Sequence, residues 1–142
     1  MAKKTTSLRL PDGLRDRLAA AANQQDTTVS ALIERYAREG LAVDGHPGIV
    51  FKPGPSGRRA SLAGGPDVWE VVSALRDVRG TEAQRVQSTA DLLGLHPRQV
   101  TIALAYAADH QDEIEQRIAA NERALEEAER AYTARAELLG SA

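Results

Sequence analysis

Thr5-Thr6-Ser7-Leu8-Arg9-Leu10-Pro11 is the stretch whose reading decides the fold at the start of this chain. Polar and apolar residues alternate over residues 5–10, a period of two that predicts a short strand with one buried face. Pro11 ends it. A six-residue strand is unstable alone and needs a partner edge. The economical partner is the same strand of a second chain, which gives an antiparallel ribbon. Leu8 and Leu10, with Thr6, then turn inward, while Thr5, Ser7 and Arg9 turn outward together. A two-stranded ribbon fits the major groove of B-DNA, where Arg9 can donate a bidentate pair to guanine, an interaction worth about 1–3 kcal/mol of base discrimination. Thr5 and Ser7 can donate or accept at neighbouring base edges.

Two helices are expected next. Asp12 and Gly13 open one with Leu14, Leu18, Ala21 and Ala22 at helical spacing, and Asn23 to Asp26 is a polar break. Thr28 suits the N-cap of a second helix, whose apolar stripe is Val29, Leu32, Ile33, Tyr36 and Ala37. Gly40 reads as its C-terminal stop.

These residues resemble the Arc/MetJ/CopG ribbon-helix-helix family of DNA-binding proteins. The resemblance is carried by Thr5 to Pro11 and by Thr28-Val29-Ser30 opening the second helix, and covers residues 3–41. It implies base contacts from Thr5, Ser7 and Arg9. It also implies a phosphate anchored at the start of the second helix, at Thr28, Val29 and Ser30, where helix amides and dipole favour an anion. Lys3 and Lys4 add salt-sensitive phosphate contacts.

From Asp44 to Pro66 glycine and proline crowd together, and the segment reads as a linker or hairpin. Ile49-Val50-Phe51 and Arg59-Ala60-Ser61-Leu62 are its candidate strands. Asp67 suits the N-cap of a helix with Val68, Val71, Val72 and Leu75. Thr81 to Leu93 is helical, Gly94 breaks it, and His96-Pro97 opens another helix. No Gly or Pro then intervenes until Leu139, so one long helix or two with a break near Asp109-His110 fill the span.

Ala90, Gly94 and Val100 have the spacing of a helix-turn-helix, which exposes Arg98, Gln99 and Thr101 at the start of its second helix. That is either a second DNA contact or a plain helical hairpin. Residues 46–118 also resemble a small domain of VapB-type antitoxins, which accompany PIN-like ribonuclease toxins. The carrying features are His46-Pro47-Gly48-Ile49-Val50, Gly57-Arg58-Arg59-Ala60, Gly64-Gly65-Pro66-Asp67-Val68-Trp69, and Val100 to Ala108. Arg58 and Arg59 become contacts to phosphate or a partner, or merely solvate a hairpin tip. Trp69 reads as a core anchor near Val72 and Phe51. Along the last helix Ile114, Ile118, Asn121, Leu125, Ala128, Tyr132, Arg135 and Leu139 follow one another at spacings of four and three. They suit self-association or a toxin's groove. Glu113–Arg117 and Glu126–Arg130 have the spacing of helix-supporting ion pairs.

The net charge of −2 conceals an asymmetry. Residues 1–80 hold 12 Lys/Arg against 9 Asp/Glu, whereas residues 109–142 hold 4 against 9. A basic front and an acidic back suit partners of opposite sign. Aromatic residues are 4% of the chain, so the core must come from Leu, Val, Ile and Ala. Cysteine is absent, which excludes disulfides and thiolate metal sites. No leader or membrane span is legible, and a cytoplasmic setting is expected. His46, His96 and His110 lack metal-ligand spacing. Neither a phosphate-binding Gly-rich loop nor a nucleophile set is legible, so no enzyme and no cofactor are expected.

The expected fold is mostly α: a dimeric ribbon-helix-helix over 1–43, a hairpin or linker over 44–66, a helix-turn-helix-like domain over 67–108, and an acidic helix over 109–142. The expected function is a homodimeric regulator that binds operator DNA and acts as the antitoxin of a toxin–antitoxin pair. The alternatives are a stand-alone repressor with a second DNA-binding or ligand-sensing module, and a DNA-clustering nucleoid or partition protein.

Overall fold

The computed structural model describes residues 3–140. Among the described residues six helices make up 67%, and the only sheet is a two-stranded hairpin. The chain divides into two compact units, one ending at Gly45 and the other beginning at His46.

The first unit is a helical hairpin of α1 (Asp12–Gln24) and α2 (Val29–Gly45). The turn between them closes with Thr27 N–H donating to the Ala22 carbonyl at 2.9 Å, and Asp26 takes a left-handed φ of 52°. Aspartate tolerates that region better than branched residues do. The Thr28 hydroxyl caps α2 by accepting from Ala31 N–H at 3.1 Å. Leu18, Ala22 and Leu32 form the buried core, with Leu10, Ala21, Val29 and Ile33 packed around it.

The expected β-α-α order is overturned here. Residues 3–11 form no strand, and the two strands that exist follow the first two helices instead of preceding them. The physical reason is that residues 5–10 find no edge to pair with inside one chain, whereas the later strands pair with each other. Leu8, expected to face inward, is 65% exposed; Leu10 alone of that pair packs on the core. Gly40 is no stop either: α2 continues to Gly45, because Leu41, Ala42 and Val43 sustain it.

The second unit begins with the hairpin of β1 (Ile49–Lys52) and β2 (Arg59–Leu62), in the register Ile49↔Leu62 to Lys52↔Arg59. Gly48 enters it at φ +99°, a backbone conformation that favours glycine, and a Cβ there would lie a tight 3.2 Å from the Ile102 side chain. Four helices follow: α3 (Val68–Asp77), α4 (Glu82–Leu93), α5 (Pro97–Asp109) and α6 (Gln111–Leu138). Thr81 and Gln84 cap α4 reciprocally, at 3.3 and 2.9 Å. Gly94 ends α4 in the left-handed conformation, and Leu95 N–H reaches the Ala90 carbonyl at 2.8 Å. Ala90 and Val100 are both fully buried where α4 meets α5. Ile49, Leu62, Val68, Val71, Ala103 and Tyr106 complete this core, which α3 and α5 share with the hairpin. The break between α5 and α6 falls at His110, whose φ and ψ of −130° and 44° leave the helical region.

Candidate nucleic-acid interface and partner surfaces

Lys3, Lys4, Thr5, Ser7 and Arg9 are all exposed on the segment that precedes α1. Lys3 reaches Glu34 on α2 at 3.4 Å, with its side chain 88% exposed. An exposed pair of this kind is worth little and yields readily to a phosphate. Arg38, on the next turn of α2, also reaches Glu34, at 2.6 Å. At the start of α2, Thr28 is exposed but its hydroxyl is engaged as the cap; Val29 is half-buried and Ser30 exposed. The first amides of a helix point outward along its axis, so this end offers donors to an anion.

Arg58 and Arg59 do not act together. The Arg59 guanidinium is bound to the Asp67 carboxylate and donates to the Pro53 carbonyl at 3.0 Å. Arg58 donates to the Phe51 carbonyl at 3.3 Å, closing the hairpin. Both are half-buried and hold the loop in shape. On α5, Arg98 is exposed, while Gln99 caps the helix by accepting from His96 N–H at 2.8 Å. The exposed Thr101 donates back to the Pro97 carbonyl at 3.2 Å. Of these three, Arg98 alone is exposed with its side chain in no hydrogen bond among the described residues.

Along α6 the apolar stripe divides. Ile114 and Ile118 are buried in the second unit, but Leu125, Tyr132 and Leu139 are 58%, 76% and 71% exposed. Arg117 makes no ion pair with Glu113. It turns instead to the hairpin loop, donating to the Ser56 and Arg58 carbonyls at 3.0 and 2.8 Å. Glu113 accepts from the Tyr106 hydroxyl at 2.8 Å.

Two polar clusters escaped the sequence reading. In the first, Asp67 is nearly buried and gathers three donors: the Ser61 hydroxyl at 2.5 Å, the Trp69 indole N–H at 3.3 Å, and Arg59. In the second, His46 meets Asp109 at 2.9 Å, and His110 stacks on Tyr106 with ring centroids 4.1 Å apart. Phe51 also packs edge-on to Tyr106, so Tyr106, and not Trp69, is the aromatic centre of the core. The Asp67 cluster had one legible signal, the Asp67–Glu70 capping pattern; the pairings across the chain had none. Between α3 and α6, Glu115 binds Arg76, and that hydrogen bond holds the Glu115 carboxyl below the usual carboxylate range. No three ligating side chains converge as a metal site among the described residues, and no described helix is long and apolar enough to cross a membrane. Comparison with protein-family models, with curated proteins and with solved structures found no match.

Proposed function

We propose that this chain is a homodimeric, sequence-specific DNA-binding regulator that serves as the antitoxin of a toxin–antitoxin pair. The observation that carries the DNA part is the arm before α1. It concentrates Lys3, Lys4 and Arg9 among small hydroxyl residues, all exposed. Lysines there hold phosphates, while Arg9 with Thr5 and Ser7 reaches base edges. Thr28, Val29 and Ser30 add a helix-terminal phosphate contact.

The homodimer is supported by the first unit's size. About forty residues rarely bury enough surface to fold alone. Here three side chains form the buried core, while Leu8, Leu14, Tyr36 and Leu41 are 65%, 42%, 45% and 75% exposed. A second copy covers such surface at no cost in sequence. The antitoxin part rests on the likeness of residues 46–118 to VapB-type domains, with a PIN-like ribonuclease as the expected toxin.

Arg9→Ala tests the DNA part. The variant should keep the dimer, judged by sedimentation, and lose discrimination between operator and unrelated DNA in a mobility-shift assay. Unchanged discrimination removes Arg9 from the base-reading role. Co-expression with the adjacent gene tests the antitoxin part: a neighbour that is neither toxic nor co-purified refutes it.

A further inference from the structure

The tip of the β1–β2 hairpin is tied to α6 by a cation. Residues 53–58 join the two strands, and from Lys52 to Pro66 the chain carries Lys52, Arg58 and Arg59 and no acidic residue. Arg117 brings a further positive charge from α6. Its guanidinium donates to the Ser56 carbonyl at 3.0 Å, to the Ser56 hydroxyl at 2.9 Å and to the Arg58 carbonyl at 2.8 Å. All three acceptors are neutral, and no carboxylate pairs with Arg117 among the described residues.

Ser56 is exposed, on a turn closed by Gly57 N–H donating to the Gly54 carbonyl at 3.0 Å. Ser61, the other serine of the hairpin, is fully buried. Ser56, Arg59 and Arg117 line one cleft of about 420 Å³ between the tip, α3 and α6. The two carboxylates on that cleft are engaged: Asp67 holds Arg59, and Glu70 accepts from Asp67 N–H at 3.2 Å, capping α3. The cleft thus offers room beside the Ser56 hydroxyl, with a guanidinium already in contact with it.

We propose that Ser56 is a phosphorylation site and that Arg117 receives the phosphate. A phosphoryl group set opposite arginine gains charge-assisted hydrogen bonds and orders the loop that bears it. Here it supplies the counter-charge that two carbonyls and a hydroxyl lack, and it fastens the tip to α6. The donor is a nucleoside triphosphate bound to a protein kinase. The Ser56 oxygen bonds to the terminal phosphorus as the bond to the diphosphate leaving group breaks, and the hydroxyl proton passes to the kinase's catalytic base. Because Ser56 lies outside the strands, a kinase can engage it without parting the ladder from Ile49↔Leu62 to Lys52↔Arg59. This role does not depend on the chain's binding DNA or a toxin.

Phosphoserine encoded at position 56 of the full chain should raise the urea midpoint by about 0.5 M, the effect of one solvent-screened arginine–phosphate pair. The gain should vanish in Arg117→Ala and return in part in Arg117→Lys. Phosphorus NMR of the phosphorylated chain, which needs no variant, should place the second ionisation of the phosphate below its ordinary value of about 6, because an adjacent guanidinium favours the dianion. A midpoint and an ionisation that both stay unmoved overturn Arg117 as the receptor. Inorganic phosphate that raises the midpoint of the unmodified chain equally overturns the covalent reading, since a dissolved anion then suffices. Peptide mapping of the chain purified from the cells that make it should find Ser56 carrying the mass of one phosphoryl group; a Ser56 peptide unmodified in growing and in starved cells overturns the site.

Discussion

Replacing Asp67 by Ala should cost the second unit about 3 kcal/mol, and the sum can be built from its partners. Ser61 is fully buried and gives its hydroxyl to Asp67 at 2.5 Å. Without that acceptor the hydroxyl is orphaned, a loss of about 1–3 kcal/mol. Arg59 keeps the Pro53 carbonyl but loses its counter-charge, with its side chain 29% exposed. Solvent screens that loss to about 1 kcal/mol, well below the 3–5 kcal/mol of a fully buried broken pair. The Trp69 N–H, half-exposed, adds about 0.5 kcal/mol. Trp69 is the single tryptophan of the chain and starts α3, so its fluorescence follows the second unit alone. At a urea slope of about 2 kcal/mol per molar, the midpoint should fall by about 1.5 M. Ser61→Ala should cost far less, because it removes the donor. In the double variant the orphan disappears, so the two losses should fall short of additive by about 1 kcal/mol. A midpoint for Asp67→Ala within about 0.25 M of the parent, or strict additivity, would refute the idea that Asp67 is the acceptor on which this corner depends.

Three further outcomes follow from single features. Thr89 is fully buried and its hydroxyl has no hydrogen-bond partner among the described residues; Thr89→Val keeps the shape and removes the orphan, so the urea midpoint should rise by about 1 kcal/mol of stability. Replacing Lys3 and Lys4 together by Ala should flatten the salt dependence of operator binding by about 0.9 in the log–log slope for each phosphate no longer neutralised, with little change in sequence preference. The Glu115 carboxyl is held down by Arg76, so the small stability from this pair is present above the ordinary carboxylate range and lost as pH falls through the lowered value; carboxyl NMR should show that low midpoint return to normal in Arg76→Ala.

Local signals were legible wherever the residues that form an element also satisfy it. Asp67 and Gly94 mark helix ends in the sequence, and the structure uses both of them there. Gly40 shows the limit of such signals: one glycine costs a helix only about 1 kcal/mol, and a turn of good formers after it outweighs that. The strand over residues 5–10 failed for a different reason. Its alternation is real, but a strand is a property of two edges, and one chain supplies one edge at this point. Trp69 and Tyr106 could not be ranked from sequence, because which aromatic ring fills the centre depends on how α5 meets the hairpin. The candidate site divided in the same way. Exposure of Lys3 to Arg9 follows from local polarity, whereas the capture of Arg59 by Asp67 and of Arg117 by the Ser56 loop joins residues 8 and 61 positions apart.

Those captures bear on where function can lie. A cation that already holds a buried carboxylate or two loop carbonyls offers a weak hand to DNA, since a phosphate must first break what it holds. By that measure Arg59 and Arg117 are fastenings. Among the candidate contacts, the basic residues best placed for a polyanion are Lys3, whose partner Glu34 is itself exposed, and the exposed Lys4, Arg9 and Arg98. Three of the four stand on the arm before α1. The acidic excess lies at the other end of the chain, on a helix whose apolar stripe outlasts its own core. In the homodimer proposed above, a second copy brings a second such arm, and two arms that each bind nucleic acid loosely act together on one stretch of DNA through the raised effective concentration of the second.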